Sequence, residues 1–196
     1  ALQQGEVHVA GLHLVDPTTG ESNLPFLRRA LKGSNYDVVT FATWEEGFLV
    51  RPGNPKSIHA AADLVDPLVT LVNREEGAGA RLLLDQRLRA TGISSNQVKG
   101  YGTVVSSHFE VARAITSGQA DVGVGIRSAA QLFGLDFVPL QAARYDLVVP
   151  KAYFKSHPTL AHLFDTIVSR PFRNEIEALG GYDTSETGKL HALRVG

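Results

Sequence analysis

The stretch Leu71-Val72-Asn73-Arg74-Glu75-Glu76-Gly77-Ala78-Gly79-Ala80-Arg81 carries the strongest chemical signal in the sequence. An apolar run of strand length opens into a glycine-containing turn and then a helix start. The first backbone N–H groups of a helix lack intrahelical partners, and the macrodipole adds partial positive charge, so an anion is favoured there. Arg74 would add a bidentate fork to an oxyanion. The competing reading is a plain tight turn, with Arg74 paired to Glu75 or Glu76; residues alone leave both open. The dinucleotide fingerprint fails because Leu82 replaces its last glycine, and the P-loop fails because no Gly-Lys-Ser/Thr follows.

Three further junctions are candidates. Ser106-Ser107-His108 offers hydroxyls and a second helix start; the simpler reading is an ordinary N-cap, with His108 either a ligand contact or first-turn surface. Gly123-Val124-Gly125-Ile126 permits close backbone approach to a ligand or tight packing between elements. The polar loop from Ala10 to Asn23 supplies His13 and Asn23, among plain turn chemistry at Asp16-Pro17 and Thr19-Gly20. The candidate ligand-binding set is therefore Arg74, Gly77, Ala78, Gly79, Ala80, Ser107, His108, Gly125, His13 and Asn23.

Catalytic sets are poor. There is no HExxH and no GxSxG, and the absence of Cys excludes thiolate catalysis and Cys-ligated metal. His8 and His13 are five apart, on opposite sides of a strand. Glu45-Glu46 and Glu75-Glu76 are adjacent pairs that diverge. The expectation is a protein that is not an enzyme, with no cofactor and no metal.

The elements that must position these residues alternate. Strands are expected over Val7 to Leu12, Tyr36 to Thr43, Gly47 to Val50, Leu68 to Val72, Val98 to Val105, Ala120 to Ile126, Asp136 to Leu140 and Tyr145 to Val149. Helices are expected from Ser22 or Asn23 to a stop at Gly33, over Ala80 to Ala90, His108 to Thr116, to about Phe133, through the Leu160–Val168 stripe, and over Pro171 to Leu179. Alternation of this kind implies mixed or parallel sheets with helices on both faces, and ligands at the carboxyl ends of strands. The break at Arg51-Pro52-Gly53-Asn54-Pro55 points to a crossing between two lobes.

Composition sets the outer limits. The chain has 196 residues, 43% of them hydrophobic, enough for one large domain or two small lobes. With 19 basic and 20 acidic residues the net charge is −1, so neither nucleic acid nor an anionic membrane is expected as a direct partner. No apolar run approaches the ~18 residues of a membrane span. Met is absent, even at position 1, which leads to the expectation that residues upstream are missing.

Taken in order, the junctions resemble one family: the periplasmic-binding-protein-like domain found beside helix-turn-helix regulators and molybdopterin-biosynthesis enzymes. The resemblance runs from about position 5 to 150. It is carried by Gly5-Glu6-Val7-His8-Val9-Ala10-Gly11-Leu12-His13-Leu14, Thr19-Gly20-Glu21-Ser22-Asn23, Gly47-Phe48-Leu49-Val50-Arg51-Pro52-Gly53-Asn54-Pro55-Lys56, Val72-Asn73-Arg74 with Gly77, Gly79 and Arg81 to Asp85, Gly100-Tyr101, His108 with Val111-Ala112, Ala120-Asp121 with Gly123 and Gly125-Ile126, Gly134 to Leu140 and Tyr145-Asp146-Leu147. It implies an α/β, type II periplasmic-binding-protein-like fold: two lobes of mixed sheet flanked by helices, with a ligand cleft between them. The lobes would be residues 1–46 with about 148–196, and about 47–147. The implied ligand is molybdate, tungstate or a similar oxyanion. The implied role is a cytoplasmic sensor regulating a fused DNA-binding domain, with a homodimer as one assembly. The alternative is a substrate- or cofactor-binding domain of a molybdopterin-biosynthesis protein, with a molybdopterin-type ligand. Two departures stand out. The family turn Gly-Ser-Gly-Thr-Arg here reads Gly77-Ala78-Gly79-Ala80-Arg81 and lacks its hydroxyls, and the family's first strand and Ser-containing helix start are not in this sequence.

Overall fold

The computed structural model describes residues 1–16, 18–31 and 35–193. The helix stop expected at Gly33 and the second residue of the Asp16-Pro17 turn lie outside the described residues. In chain order the elements are β1 (Ala10–Leu12), α1 (Leu24–Ala30), β2 (Tyr36–Val50), β3 (Leu71–Arg74), α2 (Gly79–Ala90), β4 (Val104–Val105), α3 (His108–Thr116), β5 (Val122–Ile126), α4 (Arg127–Leu132), β6 (Asp136–Pro150), α5 (Lys151–Ser156), α6 (Pro158–Val168), α7 (Arg170–Ala178), β7 (Tyr182–Asp183) and β8 (Leu190–Ala192). Short 3-10 turns cover Leu2–Gln4, Ala61–Val65 and Ser95–Gln97. The chain divides into two units, Ala1–Trp44 with Ala142–Gly196, and Glu45–Gln141.

The chain passes between the units within β2 and β6, not at Arg51–Pro55, which lies inside the second unit. Each was expected as two shorter strands. Polar residues interrupt the apolar pattern, but ladder partners keep the backbone extended: Trp44 pairs with Tyr182 and Glu46 with Ile126. Other boundaries moved for local reasons. Asp66 Oδ1 accepts from the Leu68 N–H at 2.8 Å, so Leu68 sits in a turn and β3 starts at Leu71. Gly100, at φ 86°, turns the segment expected as a strand from Val98, leaving only β4. Strands β7 and β8 were not expected.

In the first unit the sheet order is β1-β6-β2, with β7 and β8 also paired to β2. Strand periodicity splits its core. Val38 and Val148 pack with Leu27, Leu31 and Leu193. Their neighbours Val39 and Val149 face the other way, against Leu160, Phe164 and Ile167 of α6. A polar network is embedded here. The fully buried Asp146 accepts from Asn23 Nδ2 at 2.8 Å, Thr40 Oγ1 at 3.1 Å and Arg144 Nη2 at 2.9 Å. A buried carboxylate stands only with such donors. Because the Thr40 hydroxyl gives its proton to Asp146, it accepts from His191 Nε2–H, 2.8 Å away.

In the second unit β2 runs antiparallel to β5, and β5-β3-β4 are parallel, in register at Leu71↔Val122 and Asn73↔Val104. Helix α2 buries Ala80, Leu83, Leu84 and Leu88, an i, i+3, i+4, i+8 stripe, against Phe48, Val50, Val122 and Val124. Helix α3 buries Val111, Ala112, Ala114 and Ile115. Three parallel strands thus end at one edge, where α2, α3 and α4 begin.

Burial, with the charge of Arg144 adding to it, holds the His191 imidazole below its ordinary range. Above about pH 6.5 the side chain is neutral in both folded and unfolded chains. Below that the unfolded chain takes up the proton first, so stability falls as the pH drops towards the folded value. Urea midpoints measured from pH 7 downward should therefore decline less steeply for His191→Gln than for the parent; equal slopes would refute this.

Candidate functional site

The candidate site lies at the carboxyl edge of β3, β4 and β5 in the second unit. Arg74 is the last residue of β3. The buried Asn73 fixes the strand end, its Oδ1 accepting from the Arg74 N–H at 2.9 Å and its Nδ2 donating to the Tyr101 carbonyl at 3.1 Å. Gly77, at φ 89°, makes the turn that a side-chain-bearing residue would strain. Ala78 then stands at the N-cap of α2 with no side-chain cap, its carbonyl accepting from the Leu82 N–H at 3.0 Å. Without a hydroxyl at Ala78, no side chain caps the first N–H groups of α2. Ala80 is buried, and its methyl belongs to the core rather than to the turn surface.

Helix α3 starts differently. Ser107 Oγ accepts from the Glu110 N–H at 3.1 Å, and Glu110 Oε2 accepts from the N–H and hydroxyl of Ser106 at 2.7 and 2.8 Å. These donors hold the Glu110 carboxyl below its usual range. Ser107 is thus the N-cap, the simpler of its two readings. His108 follows, and its Nδ1 lies 3.6 Å from where a Cβ on Gly125 would sit. A Cβ on Gly125 would also meet Leu49 Cδ1 at 2.8 Å, so this glycine permits packing between β5 and β2.

Arg74 is placed by two contacts. Its Nε and Nη2 donate to the two carboxylate oxygens of Glu75, each at 2.8 Å, and Nη2 also donates to the Ser106 carbonyl at 3.1 Å. The guanidinium holds the Glu75 carboxyl well below its usual range, at about 2. Arg81 turns back: it pairs with Asp85 at 3.2 Å, donates to the Arg74 carbonyl at 3.3 Å and lies 4.3 Å over the Tyr101 ring. It braces the turn from behind.

Of the ten candidate residues, the structure brings Arg74, Gly77, Ala78, Gly79, Ala80, Ser107, His108 and Gly125 into the second unit, around three neighbouring strand ends. His13 and Asn23 belong to the first unit. His13 packs against Trp44 and Tyr145, with ring centroids 4.9 and 5.7 Å apart. Asn23 is fully buried, accepting from the Leu14 N–H and donating to Asp146 and the Arg144 carbonyl. The His13–Trp44–Tyr145 cluster was not legible in the sequence, where these residues are far apart; Gly11, over which the Tyr145 ring lies, is the nearest signal. The Glu45-Glu46 pair does diverge: Glu45 pairs with Arg127, while the buried Glu46 accepts from Gln141 at 2.8 Å and has its carboxyl raised by burial. Among the described residues, no group of three or more His, Asp or Glu is placed to hold a metal ion.

The sequence profile of the PBP superfamily domain matches residues 1–168. The uncharacterized protein YvgK of Bacillus subtilis is 36% identical over 189 residues, which is 96% of this chain and 60% of YvgK. The chain therefore spans about 60% of the length of that relative. Among solved structures, the regulatory domain of MetR, a LysR family regulator from N. meningitidis, aligns with a TM-score of 0.59 at 11% identity, over 93% of this chain and 79% of that one. The periplasmic aliphatic sulphonate binding protein SsuA from Escherichia coli aligns with a TM-score of 0.52 at 18% identity, over 91% and 62%. The likeness to these two structures is one of fold, and the fold is the expected α/β, type II class. The expected cytoplasmic location is corrected: the fold is shared with a periplasmic receptor, and the likeness does not carry a cytoplasmic assignment.

If Ser107 serves only as a cap, Ser107→Ala should cost about 1 kcal/mol in chemical denaturation. A cost near zero would remove the cap from the account of α3.

Proposed function

This chain belongs to the PBP superfamily, and from that premise we propose that it is a small-molecule binding or sensor domain whose ligand is an anion held where β3 meets α2. The observation that carries the reading is the α2 start, which lacks a side-chain cap, beside the Arg74 guanidinium and next to the α3 start. Its binding groups would be the backbone N–H groups of Gly77, Gly79 and Ala80 in the Gly77-Ala78-Gly79-Ala80 turn, where the Ala78 N–H donates to the Glu75 carbonyl at 3.2 Å and holds the turn, with Arg74, and with Ser107, His108 and Gly125 shaping the neighbouring strand end. The ligand class is molybdate, tungstate or a similar oxyanion; the sulphonate ligand named for SsuA belongs to the same chemistry. A regulatory output, through a transcription-regulator domain joined to this one, is supported by the MetR-like fold and by the greater length of YvgK. A molybdopterin-type ligand would present a phosphate to the same helix start.

The test is a thermal-shift titration with molybdate, tungstate, sulfate and phosphate. An anion at ~100 times its Kd should add about 2.7 kcal/mol of stability. Arg74→Ala should abolish the response; an unchanged response would exclude Arg74, and no response to any anion would refute the reading. A co-purifying pterin mass in native mass spectrometry would favour the molybdopterin-type ligand.

A further inference from the structure

The two partners in the Arg74–Glu75 pair are unequal. The Arg74 side chain is only 11% exposed, whereas that of Glu75 is 45% exposed. The guanidinium is fixed: its own strand ends in the Asn73 bonds, and Nη2 is tied to the Ser106 carbonyl. A desolvated guanidinium needs an anionic partner and is costly to leave without one. The carboxylate has no such need, because half in water it can swing out at little cost. Other carboxylates near this edge are committed. Glu110 caps the start of α3 at Ser106, and Asp85 is held by Arg81 and the Tyr101 hydroxyl. Glu75 alone among these three is bonded to Arg74, by two parallel bonds of the kind a ligand oxyanion would make.

We infer that Glu75 is a built-in competitor that occupies the Arg74 fork in the absence of ligand and sets the anion concentration at which the domain responds. The inference rests on the anion reading proposed above. The ligand must displace the carboxylate, so its apparent affinity is the intrinsic affinity reduced by the fraction of molecules in which the fork is open. If Glu75 is seated nine times in ten, removing it tightens binding about tenfold. A selective domain gains from this arrangement: the fork is open in only a minority of ligand-free molecules, and an anion that offers Arg74 no more than a carboxylate does cannot displace Glu75 efficiently.

Simple relief of charge repulsion would also tighten binding, and Glu76 separates the two effects. It is the next residue, exposed, and carries the same charge, whereas both bonds of the Arg74 fork go to Glu75. The experiment is calorimetric titration of the parent chain, Glu75→Gln and Glu76→Gln with molybdate and with phosphate. It is read beside the Arg Nε–H resonances of ligand-free protein, with Arg74 assigned from Arg74→Lys. Glu75→Gln should bind about tenfold tighter and move the Arg74 resonance. Glu76→Gln should bind within about twofold of the parent, as expected for a screened surface charge, and leave the resonance in place. Equal tightening by the two variants, no tightening by Glu75→Gln, or an unmoved Arg74 resonance in Glu75→Gln would each overturn the inference. Should no variant bind either anion while the Arg74 resonance still moves in Glu75→Gln, the pair is real but the anion reading fails, and competition for ligand fails with it.

Discussion

The close approach of β3 to β5 governs the second unit. At Gly123 an added Cβ would lie 2.5 Å from Val111 Cγ1 and 2.8 Å from the Val72 carbonyl, so no side chain fits between strand and helix there. Because that position is bare, α3 can lie directly on β5 while β3 pairs with it in parallel. The parallel order then delivers the ends of β3, β4 and β5 to one edge. Each continues into a helix, so the partial positive charges of neighbouring helix starts are gathered without any cluster of basic side chains. A near-neutral chain can in this way gather the partial charges of several helix starts at one edge.

Within that edge, charge balance follows from solvation. Arg74 is held by backbone geometry and Glu75 by solvent-facing freedom, while Arg81, Asp85 and Tyr101 form a closed set behind the turn. Helix α3 is closed by Ser107 and Glu110, whereas α2 has no side-chain cap. Two helix starts of the same sheet edge therefore differ in what they leave available, and the difference is set by one hydroxyl.

The first unit carries its polar groups inward. Asp146 and Asn23 are fully buried, and Thr40 connects them to His191 on β8, a strand whose pairing to β2 depends on residues far along the chain. That network ties α1, β2, β6 and β8 together through directional bonds, which hydrophobic contacts at Val38 and Val148 alone would not orient.

The sequence by itself determined the α/β class, the helix starts at Ala80 (one residue later than in the structure) and His108, and the Arg74–Gly77 turn, because periodicity, capping residues and glycine act over a few neighbouring positions. It left open whether Arg74 would pair with Glu75 or Glu76, and the structure pairs it with Glu75. Tertiary structure decided the rest. It joined the expected short strands into β2 and β6, since ladder partners such as Tyr182 and Ile126 are distant in sequence. It placed Ala80 in the core, buried Asn23 against Asp146, and grouped His13 with Trp44 and Tyr145. It also gave Arg74 and Glu75 their unequal exposure. Burial and long-range pairing depend on what the rest of the chain brings alongside, and no local pattern encodes that.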